Sequence, residues 1–305
     1  MRHEAKEFTQ KLISLILPIT FQQFMLALVS ASDALMLGMI SQDALSAVSL
    51  ASQITFVENL FLAAMTIGLS MLAAQYWGKN DRTSVEKIFA YVMKITAVVS
   101  FSFFIFSLLI PDRLMLLFTN DKNLIEGGTV YLKTVSISFF LTGISQIYLC
   151  ILKNSGKVVK AGIISSVSVV INIFLNAVFI FGLFGMPKLE IAGAALATVI
   201  SRLIEIIGCV SGSVKKDSVH LKLMYVINND VPLKKDFWKY TLPVLENEIV
   251  WGVGFTMYSV IMGHLGTDAV AANSIANIIK NLIVCFCIGL GSGGSIMVGN
   301  ELGAG

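Results

Sequence analysis

Residues 12–39 read LISLILPITFQQFMLALVSASDALMLGM, twenty-eight residues with a single charged side chain, Asp33. At about 1.5 Å per residue a helix of this length reaches ~42 Å, enough to cross a hydrocarbon layer about 30 Å thick. The run is too long for a signal-peptide core and no small-residue cleavage site follows it, so it is expected to stay in the membrane. Seven more runs share its character: 44–76, 88–110, 130–152, 158–184, 191–210, 237–262 and 269–299. The second and eighth are long enough to require tilt or protrusion. Pro111 ends the third run, and the stretch 112–128 (DRLMLLFTNDKNLIEGG) reads as a short amphipathic segment at the interface. The expected fold is an all-α polytopic membrane protein with eight transmembrane helices.

Composition points the same way. Hydrophobic residues make up 56% of the chain and charged residues 13%, against roughly 25% charged in soluble domains. The remaining charge lies between the apolar runs. A net charge of +3 without a basic soluble domain excludes a nucleic-acid partner. Cys150, Cys209, Cys285 and Cys287 all fall inside apolar runs and read as small buried hydrophobes. His3, His220 and His264 fall outside them, which leaves an intramembrane enzyme without a metal cluster or Ser/His pair at depth.

Placing the N-terminus in the cytoplasm puts fifteen Lys and Arg in inside segments and three (Arg113, Lys122, Lys188) outside. That asymmetry is the positive-inside signature of a multi-pass protein of the plasma or inner membrane, with its N-terminus cytoplasmic.

The chain also repeats itself. Shifted by 225 residues, Leu17–Asn80 lies over Leu242–Gly305 without a gap. Pro18 meets Pro243, Asp43-Ala44 meets Asp268-Ala269, Ser49 meets Ser274, and Gly68 and Gly78 meet Gly293 and Gly303. Both copies start inside, so the repeat is parallel, about an axis along the membrane normal. Six spans separate the copies, and the second stops two spans into its unit. The expected organisation is a six-helix lobe, 1–210, a basic cytoplasmic linker, 211–236, and the first two helices of a second lobe, 237–305. The expectation for the complete chain is about 450 residues and twelve spans.

Several motifs together resemble the multidrug and toxic compound extrusion (MATE) family. They are Pro18…Asp33-Ala-Leu-Met-Leu-Gly38 continuing to Asp43-Ala-Leu-Ser-Ala-Val, Ala74-Gln-Tyr-Trp-Gly78, and Asn172-Ile-Phe-Leu-Asn176…Phe181-Gly182. Gly193-Ala-Ala-Leu-Ala-Thr198 and Val298-Gly-Asn-Glu-Leu-Gly-Ala-Gly305 complete the set. The resemblance implies two pseudo-symmetric six-helix lobes around a cavity. It also implies export of small organic cations in exchange for H⁺ or Na⁺, by a protein that is monomeric at full length and needs no cofactor beyond the coupling ion. Two positions depart from the pattern: Glu190 stands where the family often has glycine, and Trp251 where many members have an acid, with Glu248 about one turn earlier.

An ionisable group inside a span is functional by default. Asp33 is the first candidate, at a depth close to that of Asn176, with Asn172 one turn deeper on the same helix face. A carboxylate beside two carboxamides offers oxygen to Na⁺, a proton or a cationic substrate, although intramembrane amides also serve as packing glue. Glu58, mid-span in the second run, is a further cation or substrate candidate, or simply faces an aqueous cavity. Arg202 and Glu205, i and i+3, most simply neutralise each other. Glu246, Glu248 and Lys280 read either as a salt-bridged set or as a second cation site. The run Gly289-Leu-Gly-Ser-Gly-Gly294 and the stripe Gly193/Ala197/Ser201 read as close helix contacts. The competing transport reading is a lipid-linked oligosaccharide flippase, which would need several inward cations for pyrophosphate; only Arg202 and Lys280 are available.

Overall fold

The computed structural model describes residues 2–213, 219–227 and 231–304. The expected basic linker therefore falls partly outside the described residues, at 214–218 with Lys215 and Lys216, and at 228–230. The described residues form ten α-helices: α1 (Arg2–Gly38), α2 (Gln42–Gly78), α3 (Arg82–Leu109), α4 (Pro111–Leu116), α5 (Lys122–Asn154), α6 (Val158–Phe181), α7 (Glu190–Ser213), α8 (Leu223–Ile227), α9 (Val231–Leu265) and α10 (Thr267–Ala304).

Local chemistry sets the boundaries. Ser41, Asp81 and Asp121 cap α2, α3 and α5, each side chain accepting a backbone N–H of the first turn at 2.9–3.1 Å. Pro111 opens α4, where its missing N–H costs nothing. The segment expected at the interface is only partly that: α4 ends at Leu116, and from Lys122 onward the residues are the first turns of α5. Thr129 ties the two together by donating to Asp112 at 2.7 Å. The fifth run stops short of Phe184 because Gly182 takes a left-handed turn, φ 72°, after Phe181.

Seven of these helices are long and apolar enough to cross a membrane: α1 from Leu12, α2, α3, α5, α6, α7 and α10. The eighth expected span lies in α9, which is 35 residues long. Glu246, Glu248 and several polar aromatics dilute its apolar character, so it falls outside that set.

Within 1–210 the six long helices pack into one bundle, with α2 and α5 at its centre. Two apolar cores stack along them. One joins Leu37, Ala47, Leu50, Ile54, Leu124, Leu132, Phe139, Ile180 and Ala194. The other joins Ala64, Leu69, Ala73, Val85, Phe89, Ile147, Leu149, Ala161 and Cys209, and takes in Leu233 and Phe237 of α9. The start of α9 is pinned there by Trp238 Nε1 donating to Tyr91 Oη at 2.8 Å.

The internal repeat has a spatial counterpart. Gly68 of α2 abuts Thr241 of α9, and its repeat mate Gly293 of α10 abuts Ile16 of α1, the mate of Thr241. Gly78 lies against Asn300 and Gly303 against Gln75, again mates of one another. The hydroxyls of Ser49 and Ser274 are hydrogen-bonded to each other. When residue i meets j and the mate of i meets the mate of j, the two copies are related as across a two-fold axis.

Candidate functional site

Asp33 and Asn176 lie five residues from the ends of α1 and α6 that share one side of the bundle. That equal depth, with Asn172 one turn along α6, brings all three together as expected. Asp33 is half-buried, and its Oδ1 accepts from Asn176 Nδ2. The same amide donates to Asn172 Oδ1 at 3.1 Å, and Asn172 Nδ2 donates to Ser201 Oγ of α7 at 3.2 Å. Ser168 secures that corner by donating to the Ser201 carbonyl at 2.7 Å. Asn176 is fully buried and its Oδ1 accepts nothing among the described residues. A buried acceptor without a donor is rare enough to need a reason, and here it stands beside a carboxylate. The oxygens of Asp33, Asn172 and Asn176 are the hard donors that a proton or Na⁺ would use.

A polar layer continues inward from this cluster, between the two apolar cores. Arg202 and Glu205 form the expected ion pair, Nη1 to Oε2 at 2.8 Å. Glu205, 1% exposed, also accepts from Ser145 of α5 at 2.9 Å and Ser165 of α6 at 3.2 Å. Ser165 in turn accepts from Gln22 of α1 at 2.8 Å. Four helices are thus tied to one carboxylate. Arg202 lies within electrostatic range of both Asp33 and Glu58. Glu58 occupies the same layer and is fully buried, so exposure to an aqueous cavity does not describe it.

The residues of the second copy fall elsewhere. Among the described residues, no ion pair joins Glu246 or Glu248 to Lys280, contrary to the salt-bridge reading. The buried face of α9 runs through Phe237, Thr241, Gly252, Ser259 and Gly263, which turns Glu246 outward. Lys280 instead holds its ammonium 4.1 Å from the ring centroid of Phe255, which stacks on Trp251 at 5.2 Å. No hydrogen bond or ion pair links Glu248 to the Asp33 cluster among the described residues. Gly289 and Gly293 make the close contacts expected of them, against Thr20 and Ile16, whereas Gly291 and Gly294 face open space. Gly193 packs on the backbone of Phe179, and Ala197 and Ser201 are buried behind it. Cys287 is exposed, a correction to its reading as a buried hydrophobe; the other three cysteines are buried.

Sequence reasoning missed Ser168 and Ser201 as partners of the Asp33 cluster, and Gln22, Ser145 and Ser165 as partners of the Glu205 network. The available signal was weak. Glu205 continues the stripe Gly193/Ala197/Ser201 of α7 at helical spacing, and serine in an apolar helix usually bonds only its own backbone.

Comparison with known proteins bears on this arrangement. The family model MatE matches residues 18–178 and 244–305. A "Probable multidrug resistance protein NorM" from Thermotoga maritima is 26% identical over 311 residues, covering 100% of this chain and 65% of the relative. An "Uncharacterized transporter YisQ" from Bacillus subtilis is 23% identical over 304 residues, covering 97% of this chain and again 65% of the relative. The chain thus spans about 65% of the length of these curated relatives. Among solved structures, the MATE multidrug transporter DinF-BH superposes with a TM-score of 0.85 at 20% identity, over 97% of this chain and 66% of that one. A MOP superfamily transporter from Pyrococcus furiosus gives 0.83 at 19%, over 96% and 65%. These structures share the fold. The family match extends over both copies of the repeat and includes Asp33, Glu58, Asn172 and Asn176, and on that footing the chain belongs to the MatE family.

Proposed function

We propose that this chain belongs to a secondary active antiporter that exports small organic cations in exchange for H⁺ or Na⁺ across the plasma membrane. Its first six-helix lobe runs to Ser213, where α7 ends, rather than to 210; a cytoplasmic linker follows, and a second lobe begins with α9 at Val231 rather than at 237. The N-terminus is cytoplasmic, as the charge asymmetry supports. The coupling site is Asp33 with Asn172 and Asn176. The observation that carries this reading is the orphaned, fully buried Asn176 Oδ1 next to the Asp33 carboxylate. One carboxylate cannot hold a substrate cation and a coupling cation equally well, so exchange follows from competition at a single group. The relatives named as multidrug resistance proteins support drugs as cargo. The flippase reading gains nothing, because Arg202 is engaged by Glu205 and Lys280 by Phe255.

The test is efflux of a fluorescent organic cation from vesicles carrying the protein, with a proton or a Na⁺ gradient imposed separately. One gradient should drive efflux and its collapse should stop it. Efflux that ignores both gradients would overturn the antiporter reading.

A further inference from the structure

Glu58 is an acid that the Asp33 cluster does not use. It sits midway along α2, where the apolar core that ends at Ile54 gives way to the one that begins at Ala64. Its exposure is 0%, and neither carboxyl oxygen has a hydrogen-bond partner among the described residues. Two hydroxyls of α3, Thr96 and Ser100, share that layer, are 0% exposed, and also lack partners among the described residues. Ser100 faces the Glu58 carboxyl without closing a hydrogen bond. Opposite them is Gly143 of α5, where a Cβ would run into Ser100 and lie 3.3 Å from Thr96 Cγ2. The absent side chain lets α5 press directly on these hydroxyls, which closes the layer around them.

The charged groups around Glu58 leave it without a counter-ion. Arg202 of α7 is the cation whose field reaches it, but that guanidinium is already bonded to Glu205 at 2.8 Å. Lys94 of α3 and Lys133 of α5 are exposed. Asp112 and Arg113 belong to α4, at one end of the bundle. Among the described residues, Asp33 of α1, Glu246 and Glu248 of α9 and Lys280 of α10 have no hydrogen bond or ion pair with Glu58. An ionised carboxylate is an acceptor only and needs donors. A carboxylic acid carries its own donor and can bond to a hydroxyl, which Ser100 and Thr96 offer.

We propose that Glu58 is a proton-binding site separate from Asp33, holding its proton as a neutral carboxylic acid in the closed polar layer between the two cores. The proton exchanges only when α2 moves against α3 and α5, so the site ties a packing change to proton uptake or release. The inference does not rest on Asp33 being the coupling site.

Infrared spectroscopy of the purified protein in lipid tests it. The expected result is a protonated-carboxyl band at neutral pH that shifts on isotope labelling of glutamate carboxyls. It should disappear in Glu58→Gln, persist in Asp33→Asn, and be unaffected by saturating Na⁺ or K⁺. If Glu58→Gln does not fold, Thr96→Val with Ser100→Ala must move the band, since those hydroxyls border the carboxyl. A missing or unlabelled band, a band retained in Glu58→Gln, one unmoved by the hydroxyl variants, or one lost in Asp33→Asn each overturns the proposal. Loss of the band on adding Na⁺ or K⁺ would make this a metal-cation site and overturn it equally.

Discussion

Asp33 and Glu58 are both acids in apolar helices, and their surroundings differ. Asp33 is half-buried and receives a hydrogen bond from Asn176; Glu58 is sealed and receives none among the described residues. The sequence placed Asp33, Asn172 and Asn176 together because depth and helical phase follow from counting residues. It could not rank Glu58 against them, because burial depends on which neighbours have side chains, and Gly143 is remote in sequence. Lys280 failed for a related reason: a salt bridge and a cation–π contact demand the same lysine, and only the facing of α9 chooses. Asp33→Asn keeps the size of the side chain and fixes it neutral, so the protein should fold and reach the membrane. Export of a cationic substrate should fall to background, and its binding should lose dependence on pH or Na⁺. Asn176→Ala should weaken that dependence less, because Asn172 can turn toward the carboxylate. Asp33→Asn protein that binds and exports with unchanged ion dependence would remove Asp33 from the site.

Helix existence was readable from hydrophobic length; the starts were not, because the polar first turns after the caps Asp81 and Asp121 lie outside the apolar runs at 88 and 130. What periodicity cannot give is which glycines of a run touch a neighbour. In α10 the alternatives stand side by side. A methyl group on Gly293 would lie 2.8 Å from Ile16 Cγ1 and 3.1 Å from Ile16 Cα of α1, and on Gly303 it would run into the Gln75 carbonyl of α2. Gly291 and Gly294 have nothing within 4 Å. A backbone atom cannot swing aside as a side-chain tip can, so the helices would have to separate. Gly293→Ala and Gly303→Ala should each destabilise the protein by about 1–3 kcal/mol. Gly291→Ala and Gly294→Ala should be neutral, or stabilising by up to about 1 kcal/mol through helix propensity. Thermal unfolding in detergent measures all four, and equal effects would contradict the packing described for α10.

At the scale of the molecule the repeat of 225 residues is more than a sequence likeness, because mates touch mates. The shift and a parallel axis could be read from Pro18/Pro243, the paired glycines and the span count; the direct contact between the copies could not, since an alignment relates two segments without saying whether they meet. The α2–α10 contact is made at both ends of the two helices. Near their N-terminal ends Ser46 donates to the Thr267 carbonyl at 3.2 Å, Gln42 bonds to Asp268, and Ser49 bonds to its own mate Ser274. Near the other end the contacts are glycine against backbone, at Gly78 and Gly303. The first set is made of side-chain hydrogen bonds that water can replace, the second of packing that leaves no room for water. Separation at this seam is therefore expected at the serine end rather than at the glycine end. Ser49→Cys with Ser274→Cys, in a background where the exposed Cys287 is replaced by Ala, should form a disulfide under mild oxidant, since two residues on the axis face each other directly. Ser49→Cys with Ile275→Cys, one residue off the axis at a position 54% exposed, should cross-link far more slowly. The cross-linked protein should bind cationic substrate but not export it until reduced, if the serine end has to open in each cycle. A pair at 49 and 274 that fails to link, or that links no faster than the off-axis pair, would displace the axis and with it the two-fold reading of the bundle.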